Sequence, residues 1–462
     1  MSPAALTASS QLLAESFSAT TGYTRAPAQE DPYRYQVGFG NGFVSEAVPD
    51  TIPYDGRNLP QRANYDLYIE QLNGTSFVTS RESMLNVWMH RIRPSCAHKP
   101  INPLEYNHDI SAVFSSKNPK NSFVLCSKEW GPLATPSEME PTNFWQGMKT
   151  IVGHGDPTQK EGVAVHQYAA NVSMDEEAFV NHDGDYLVVP QQGRLDIQAE
   201  LGRLMVIPGE LVVIPAGLRF KVALPDGPSR GYIQEIFGSH FELPDLGPIG
   251  SNGLALPQDF EAPVASYDLE TMTWEVIVKV VGKLYSYEQP HTPFDVVGWH
   301  GNYVPYKYKI GNLLALTSSK DQLDPSAYTI LTAKSKIPGV SITDFCAFTP
   351  KWVNSLNSWR PPYYHRTMTA EVMGMIYGVY GGSAKTLEPG GLTCDNAYVP
   401  PRSFVTETYE AWKKNAFIDL EPAMLGDGAL SKYQVLPSFA DESSRSSSFC
   451  LVTFALILSS DL

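Results

Sequence analysis

Tyr186-Leu-Val-Val-Pro190, Arg194-Leu-Asp-Ile-Gln-Ala199, Leu204-Met-Val-Ile-Pro-Gly209, Leu211-Val-Val-Ile-Pro215 and Phe220-Lys-Val-Ala-Leu224 follow one another within forty residues. Each run is short, rich in β-branched residues and closed by Pro, Gly or a polar turn, the pattern of successive strands rather than of helices. Working outward, Glu275-Val-Ile-Val-Lys-Val-Val281, Tyr328-Thr-Ile-Leu-Thr332, Val340-Ser-Ile-Thr-Asp-Phe345 and Met375-Ile-Tyr-Gly-Val-Tyr380 continue the theme. The 35 glycines and 36 prolines punctuate such runs along most of the chain. One segment, Thr406–Lys414, reads as a surface helix. The expectation is a mainly β, two-part jelly-roll (cupin-like) sandwich with few helices.

Composition excludes several function classes. A net charge of −15 over 462 residues speaks against nucleic acid and anionic membrane as partners, because both draw on clustered Lys and Arg. The five cysteines (Cys96, Cys126, Cys346, Cys394 and Cys450) show no paired spacing, so neither a disulfide framework nor a zinc knuckle is encoded. A reducing, cytoplasmic setting is the simpler expectation, in which the sequons at Asn73 and Asn171 carry no meaning. The apolar run Cys450–Leu458 is far short of the roughly 20 residues a membrane-spanning helix requires.

Two halves of a cupin signature are spread over the two β-rich blocks. Gly209-Glu-Leu-Val-Val-Ile-Pro215-Ala-Gly217 has the G-x5-P-x-G spacing. Its metal-binding half is degenerate, since Leu218-Arg219-Phe220 stands where a ligand would follow, and His182, the one nearby imidazole, reads as structural. Arg360-Pro-Pro-Tyr-Tyr-His365-Arg-Thr-Met-Thr-Ala-Glu371, with Gly378 seven residues on, retains ligand types. An oxygenase iron takes two imidazoles and a carboxylate on one face. His365 and Glu371 supply one of each, and a buried His–Glu ion pair is the ordinary alternative. The expected division is a loose tail over 1–32, an N-terminal β-sandwich over 33–289, a catalytic cupin-like domain over 290–424, and a divergent Ser-rich and apolar tail over 425–462.

Longer words are more specific. Val37-Gly-Phe-Gly-Asn-Gly-Phe43, Ile92-Arg-Pro-Ser-Cys-Ala-His-Lys-Pro100, Asn181-His-Asp-Gly-Asp-Tyr-Leu-Val-Val-Pro-Gln191, Trp299-His-Gly-Asn-Tyr-Val-Pro-Tyr-Lys-Tyr308 and Arg360-Pro-Pro-Tyr-Tyr-His-Arg366 stand in this order. Together they make the chain resemble the homogentisate 1,2-dioxygenase family. The resemblance implies an Fe(II) enzyme of tyrosine and phenylalanine catabolism that opens homogentisate with O2 to maleylacetoacetate. It implies iron on His365 and Glu371, acid–base work by His300, a substrate hydrogen bond from Tyr380, and a homotrimer or hexamer. For His300 a core histidine at a strand end is the bland alternative. Arg360 and Arg366 flank the metal segment and are candidates to neutralise the substrate's acetate group.

One feature departs from the pattern. The family's second iron-binding His falls in a Pro-His-Gly step after a Pro-Gly-Gly loop, whereas this chain has Pro389-Gly-Gly-Leu-Thr-Cys-Asp-Asn-Ala-Tyr-Val-Pro-Pro401, with Pro401 at the ligand position. His365 is the last histidine of the chain, so no shift of register restores an imidazole. Asp395, Cys394 and Glu407 are the donors available to replace it. A catalytically impaired homologue, retaining the fold for binding or assembly, is therefore the second functional expectation.

Overall fold

The computed structural model describes residues 24–25, 30–52, 65–115, 117–123, 125–245, 255–313, 329–348, 351–353, 366–378, 387–400, 423–425 and 450–456, with the backbone alone in the strands 24–25, 351–353, 423–425 and 450–456. The protein is β throughout these residues, and its only helical elements there are three single 3-10 turns, Pro157–Gln159, Pro257–Asp259 and Ile310–Asn312. No helix among them is long and apolar enough to cross a membrane. The expected helix Thr406–Lys414 lies outside the described residues.

The five runs of the opening stretch form the strands Gly184–Gln192, Leu195–Ala199, Gly202–Val206, Glu210–Ile214 and Arg219–Ala223. They do not make one meander. Gly184–Gln192 and Glu210–Ile214 pair in a nine-stranded sheet whose other central members are Ser229–Phe237, Glu161–Ala170 and Tyr306–Lys309. The remaining three join Glu177–Asn181, Trp274–Val280 and Lys283–Gln289 in a seven-stranded sheet. Among the described residues, all pairings within sheets are antiparallel except Glu177–Asn181 against Trp274–Val280. Gly209 and Gly217, with φ of +93° and +83°, turn the chain into and out of the strand between them, which is the use the sequence spacing implied.

The nine-stranded sheet is the middle layer of three. One face buries Tyr168, Tyr186, Val188, Val212 and Ile233 against Phe179, Ile197, Phe220 and Ile277 of the seven-stranded sheet. The opposite face buries Val165, Leu187, Val189, Val213 and Tyr232 against Ile330, Phe345, Val372 and Leu392. These last four belong to a six-stranded sheet that contains Thr329–Lys334, Ser341–Phe348, Ala370–Tyr377 and Leu392–Asp395. The run Leu187-Val188-Val189 is apolar without alternation because both of its faces are covered, as in a strand buried on two sides. The two sandwiches thus share a sheet. Polar ties cross this shared interface: the Tyr232 hydroxyl donates to the carbonyls of Met375 (2.8 Å) and Gly391 (2.9 Å), and Gln234 Nε2 donates to Thr343 Oγ1 at 2.5 Å.

A four-stranded sheet, in the order Phe43–Glu46, Val296–Gly301, Asn86–Arg91, Tyr68–Asn73, flanks the first sandwich. Its inner face, with Val87, Met89 and Trp299, belongs to the same core as Phe179 and Ile197.

Candidate functional site

His300 owes its position to strand alternation. Trp299 is fully buried and its indole N–H donates to the carbonyl of Leu201 at 2.7 Å, which forces the next side chain, His300, onto the outer face. Gly301 follows with φ of +146°, and a Cβ there would lie 2.3 Å from the carbonyl oxygen of Asn86, so only glycine lets the two strands approach. Asn302 accepts from the Asn86 N–H at 3.0 Å and donates to the Met84 carbonyl at 2.8 Å, clamping the neighbouring hairpin. Burial holds the His300 imidazole below its usual pKa, and its Nδ1 is shielded from solvent without a hydrogen-bond partner. Burial thus favours the neutral, proton-accepting form of the ring. The family resemblance singled out His300, with a core histidine at a strand end as the alternative, and no sequence signal marked its neighbour His90, whose ring centroid is 6.1 Å away.

A second histidine braces this region. His240 Nδ1 donates to Asp185 Oδ2 at 2.9 Å and Nε2 donates to the Gly74 carbonyl at 2.8 Å, while the Tyr303 hydroxyl donates to the Ala216 carbonyl at 3.0 Å. Both ring nitrogens are donors, so the bound form is the imidazolium. Burial alone would lower its pKa, but the Asp185 charge and the two hydrogen bonds override it and lift His240 to about 9. The stabilisation is complete below the unfolded-state value near 6.5 and disappears as pH rises through about 9. Wild-type stability should accordingly fall by roughly 3 kcal/mol across that window. His240→Gln should flatten the decline, and denaturant midpoints at a series of pH values measure it. Parallel curves for the two proteins would refute the assignment.

Glu371 lies in the strand Ala370–Tyr377, directly across from Asp395 in Leu392–Asp395. Cross-strand partners share a face, so the two carboxylates face the same side of the sheet. Asp395 is buried and accepts a short hydrogen bond from the Ser127 hydroxyl. Cys394 pairs with Val372 and faces the opposite side, within the shared core. Burial, reinforced by Asp395, pushes the Cys394 thiol up to about 12. Burial likewise raises the Cys346 thiol to about 12, with Asp344 and Glu371 adding to it. Of the replacement donors named from the sequence, then, Asp395 shares a face with Glu371 and Cys394 does not, and Glu407 lies outside the described residues. Like charges directly opposite one another are unfavourable.

His365, Tyr380, Arg360 and Pro401 also fall outside the described residues, whereas Arg366 is described and exposed. His300 and Glu371 lie on different sheets, and no contact between them is part of the described structure. His182 follows the strand Glu177–Asn181 and is exposed, its backbone N–H donating to the Lys279 carbonyl at 3.0 Å. Among the described residues no group of three His, Cys, Asp or Glu side chains is placed to hold a metal ion. Of the donors expected from the sequence, Glu371 and Asp395 are described and share a face, and Pro401, expected at the second imidazole position, has neither a nitrogen lone pair nor a carboxylate.

Residues 34–310 match the family model described as homogentisate 1,2-dioxygenase N-terminal, and residues 313–435 match its C-terminal counterpart. The homogentisate 1,2-dioxygenase of Oryza sativa subsp. japonica is 45% identical over 382 residues, covering 82% of this chain and 81% of the rice protein. That of Caenorhabditis elegans is 43% identical over 404 residues, covering 87% of this chain and 90% of the nematode protein. With both halves matched, and with such relatives over most of their length, the chain belongs to the homogentisate 1,2-dioxygenase family of enzymes.

Proposed function

We propose that the chain is an Fe(II)-dependent ring-cleaving dioxygenase that converts homogentisate and O2 to maleylacetoacetate in the cytoplasm, as part of tyrosine and phenylalanine catabolism. Family membership over both halves of the chain carries this reading. His300 is assigned the proton transfer: a neutral imidazole on an outward-facing strand position takes up the phenolic proton of the substrate and later returns it. Tyr380 is assigned a hydrogen bond to the substrate, and Arg360 and Arg366 the neutralisation of its acetate carboxylate. His365 and Glu371 are assigned to the iron. The working unit is assigned as a homotrimer or hexamer.

A second reading, a catalytically impaired homologue retaining the fold for binding or assembly with active subunits, is favoured by Pro401 and by the absence of any histidine after His365. Losing one of three donors lowers metal affinity steeply. Iron content and oxygen uptake with homogentisate, measured on the chain as it stands and on Pro401→His, separate the two. The dioxygenase reading expects O2 consumption by the iron-loaded chain, with both iron content and turnover rising in the variant. Silence of both proteins with iron supplied would defeat it. Stoichiometric tight iron in the unaltered chain would defeat the second reading.

A further inference from the structure

The sheet face that presents His300 presents a second imidazole to which the assigned chemistry gives no part. His300 is in register with Trp88 and Gly298 with His90 on the adjacent strand Asn86–Arg91. Cross-strand partners, and residues two apart on one strand, share a face, so both rings stand on the same side of the sheet. Their centroids are 6.1 Å apart and their planes are inclined by 41°. Even with nitrogens aimed at one another, that centroid separation leaves them beyond direct hydrogen-bonding distance, so a hydrogen-bonded link between the rings needs an intervening water. His90 is only 5% exposed, and the shielded Nδ1 of His300 has no protein partner. A working imidazole ordinarily has its tautomer set by whatever its second nitrogen bonds.

Of the side chains on this face of the four strands, Glu46 alone carries a charge; it stands across Gly298 from His90, and its carboxylate accepts a short hydrogen bond from the Ile52 backbone N–H. Glu70 and Arg91 sit on the other face, and Ile69 and Gln71 are uncharged. Burial first, and the charge of a protonated His300 second, hold His90 below the usual histidine range. Placing a proton on both rings is therefore opposed.

We propose that His90 is a positioning residue for His300: the two imidazoles form a coupled pair holding one proton, with His90 neutral and fixing the tautomer of His300 through one bridging water. This rests on the acid–base role of His300. In the step it serves, the phenolic O–H bond of the substrate breaks, an N–H bond forms on His300, and the electron pair stays on the phenolate oxygen. Nothing is oxidised or reduced in that transfer, and return of the proton reverses it.

The test is a histidine-selective 15N NMR titration of the full chain, of His300→Gln, and of His90→Leu and His90→Gln. Removal of the opposing charge in His300→Gln raises the titration midpoint of His90. His90→Leu converts His300 from one tautomer to a mixture, and His90→Gln, which keeps size and hydrogen-bonding capacity, preserves the single tautomer. A His90 midpoint unmoved in His300→Gln, or a His300 tautomer indifferent to His90→Leu, overturns the proposal. These readouts do not depend on turnover. Full ring-cleaving turnover by His300→Gln would instead remove the acid–base role of His300 while the coupling between the rings still stood, so the two failures are distinguishable.

Discussion

Arg91→Met should lower the unfolding free energy by about 3–5 kcal/mol, the cost of breaking a buried ion pair from one side. Arg91 is 1% exposed, with Nη1 2.7 Å from both Glu70 Oε2 and Glu200 Oε1, and Nη2 3.0 Å from Asp295 Oδ1. A further hydrogen bond runs from Nη2 to the Pro293 carbonyl at 2.6 Å. Burial opposes its charge, but Glu200, Asp295 and Glu70 together hold the guanidinium protonated well above the usual range. Arg219 shares Glu200 at 2.8 Å, so removing Arg91 leaves Asp295, which is fully buried, with no cationic partner at its carboxylate. The cluster joins the four-stranded sheet carrying His300 to the turn after Leu195–Ala199, so loss of His300 alignment should accompany loss of stability. Guanidinium denaturation with an unchanged m-value is the measurement, and a midpoint shift worth less than about 1 kcal/mol would sink the argument. Adding Asp295→Asn to Arg91→Met should recover part of the loss, because an amide is less costly to bury than an unpaired carboxylate.

Lys279→Met is expected to be of similar severity, about 3–5 kcal/mol, for the same reason at the heart of the first sandwich. The ammonium is fully buried, 2.5 Å from Asp183 Oδ2 and 2.7 Å from Glu235 Oε1. Glu235 Oε2 lies 3.1 Å from His166 Nε2, and His166 Nδ1 lies 2.9 Å from Thr150 Oγ1. Asn181 Nδ2 also donates to Glu235 Oε1 at 2.6 Å. Burial raises the pKa of Glu235, but Lys279 and His166 outweigh it and hold the carboxyl below its usual range. In the native protein this contributes stability above the unfolded carboxylate value, lost only as pH falls through the depressed one. Without Lys279 the sign reverses: burial dominates, Glu235 must take a proton to stay inside, and the variant loses more at mildly alkaline than at mildly acidic pH. Glu235→Gln added to Lys279→Met should reduce that pH dependence, leaving the part carried by the buried Asp183. A deficit independent of pH would show that Glu235 does not carry it.

How much of the candidate site is legible in the sequence differs residue by residue. His300 was legible only through the family words around it, because its Trp, Gly and aromatic neighbours fit a core histidine at a strand end equally well. His90 was not, since Gly298 and His90 are 208 positions apart and meet only through strand register. Asp185 stands in a family word without a role, and only folding brings the His240 ring between that carboxylate and the Gly74 carbonyl. The pairing of Glu371 with Asp395 is equally a matter of register, and it separates Asp395 from Cys394 as neighbours of Glu371, a choice that residue types one position apart could not make.

What the sequence determined by itself was the class of structure and the family: β-branched runs cut by Gly and Pro exclude a helical protein, long family words survive without coordinates, and the missing histidine is a matter of counting. Tertiary structure alone decided that the two sandwiches share one nine-stranded sheet, that strands adjacent in the opening stretch belong to different layers, and that Arg91 and Lys279 are buried among carboxylates. The physical reason is range. Strand propensity and turn chemistry act over a few residues, whereas layer assignment and charge burial depend on which apolar faces exclude water together, and those faces are supplied by segments hundreds of positions apart.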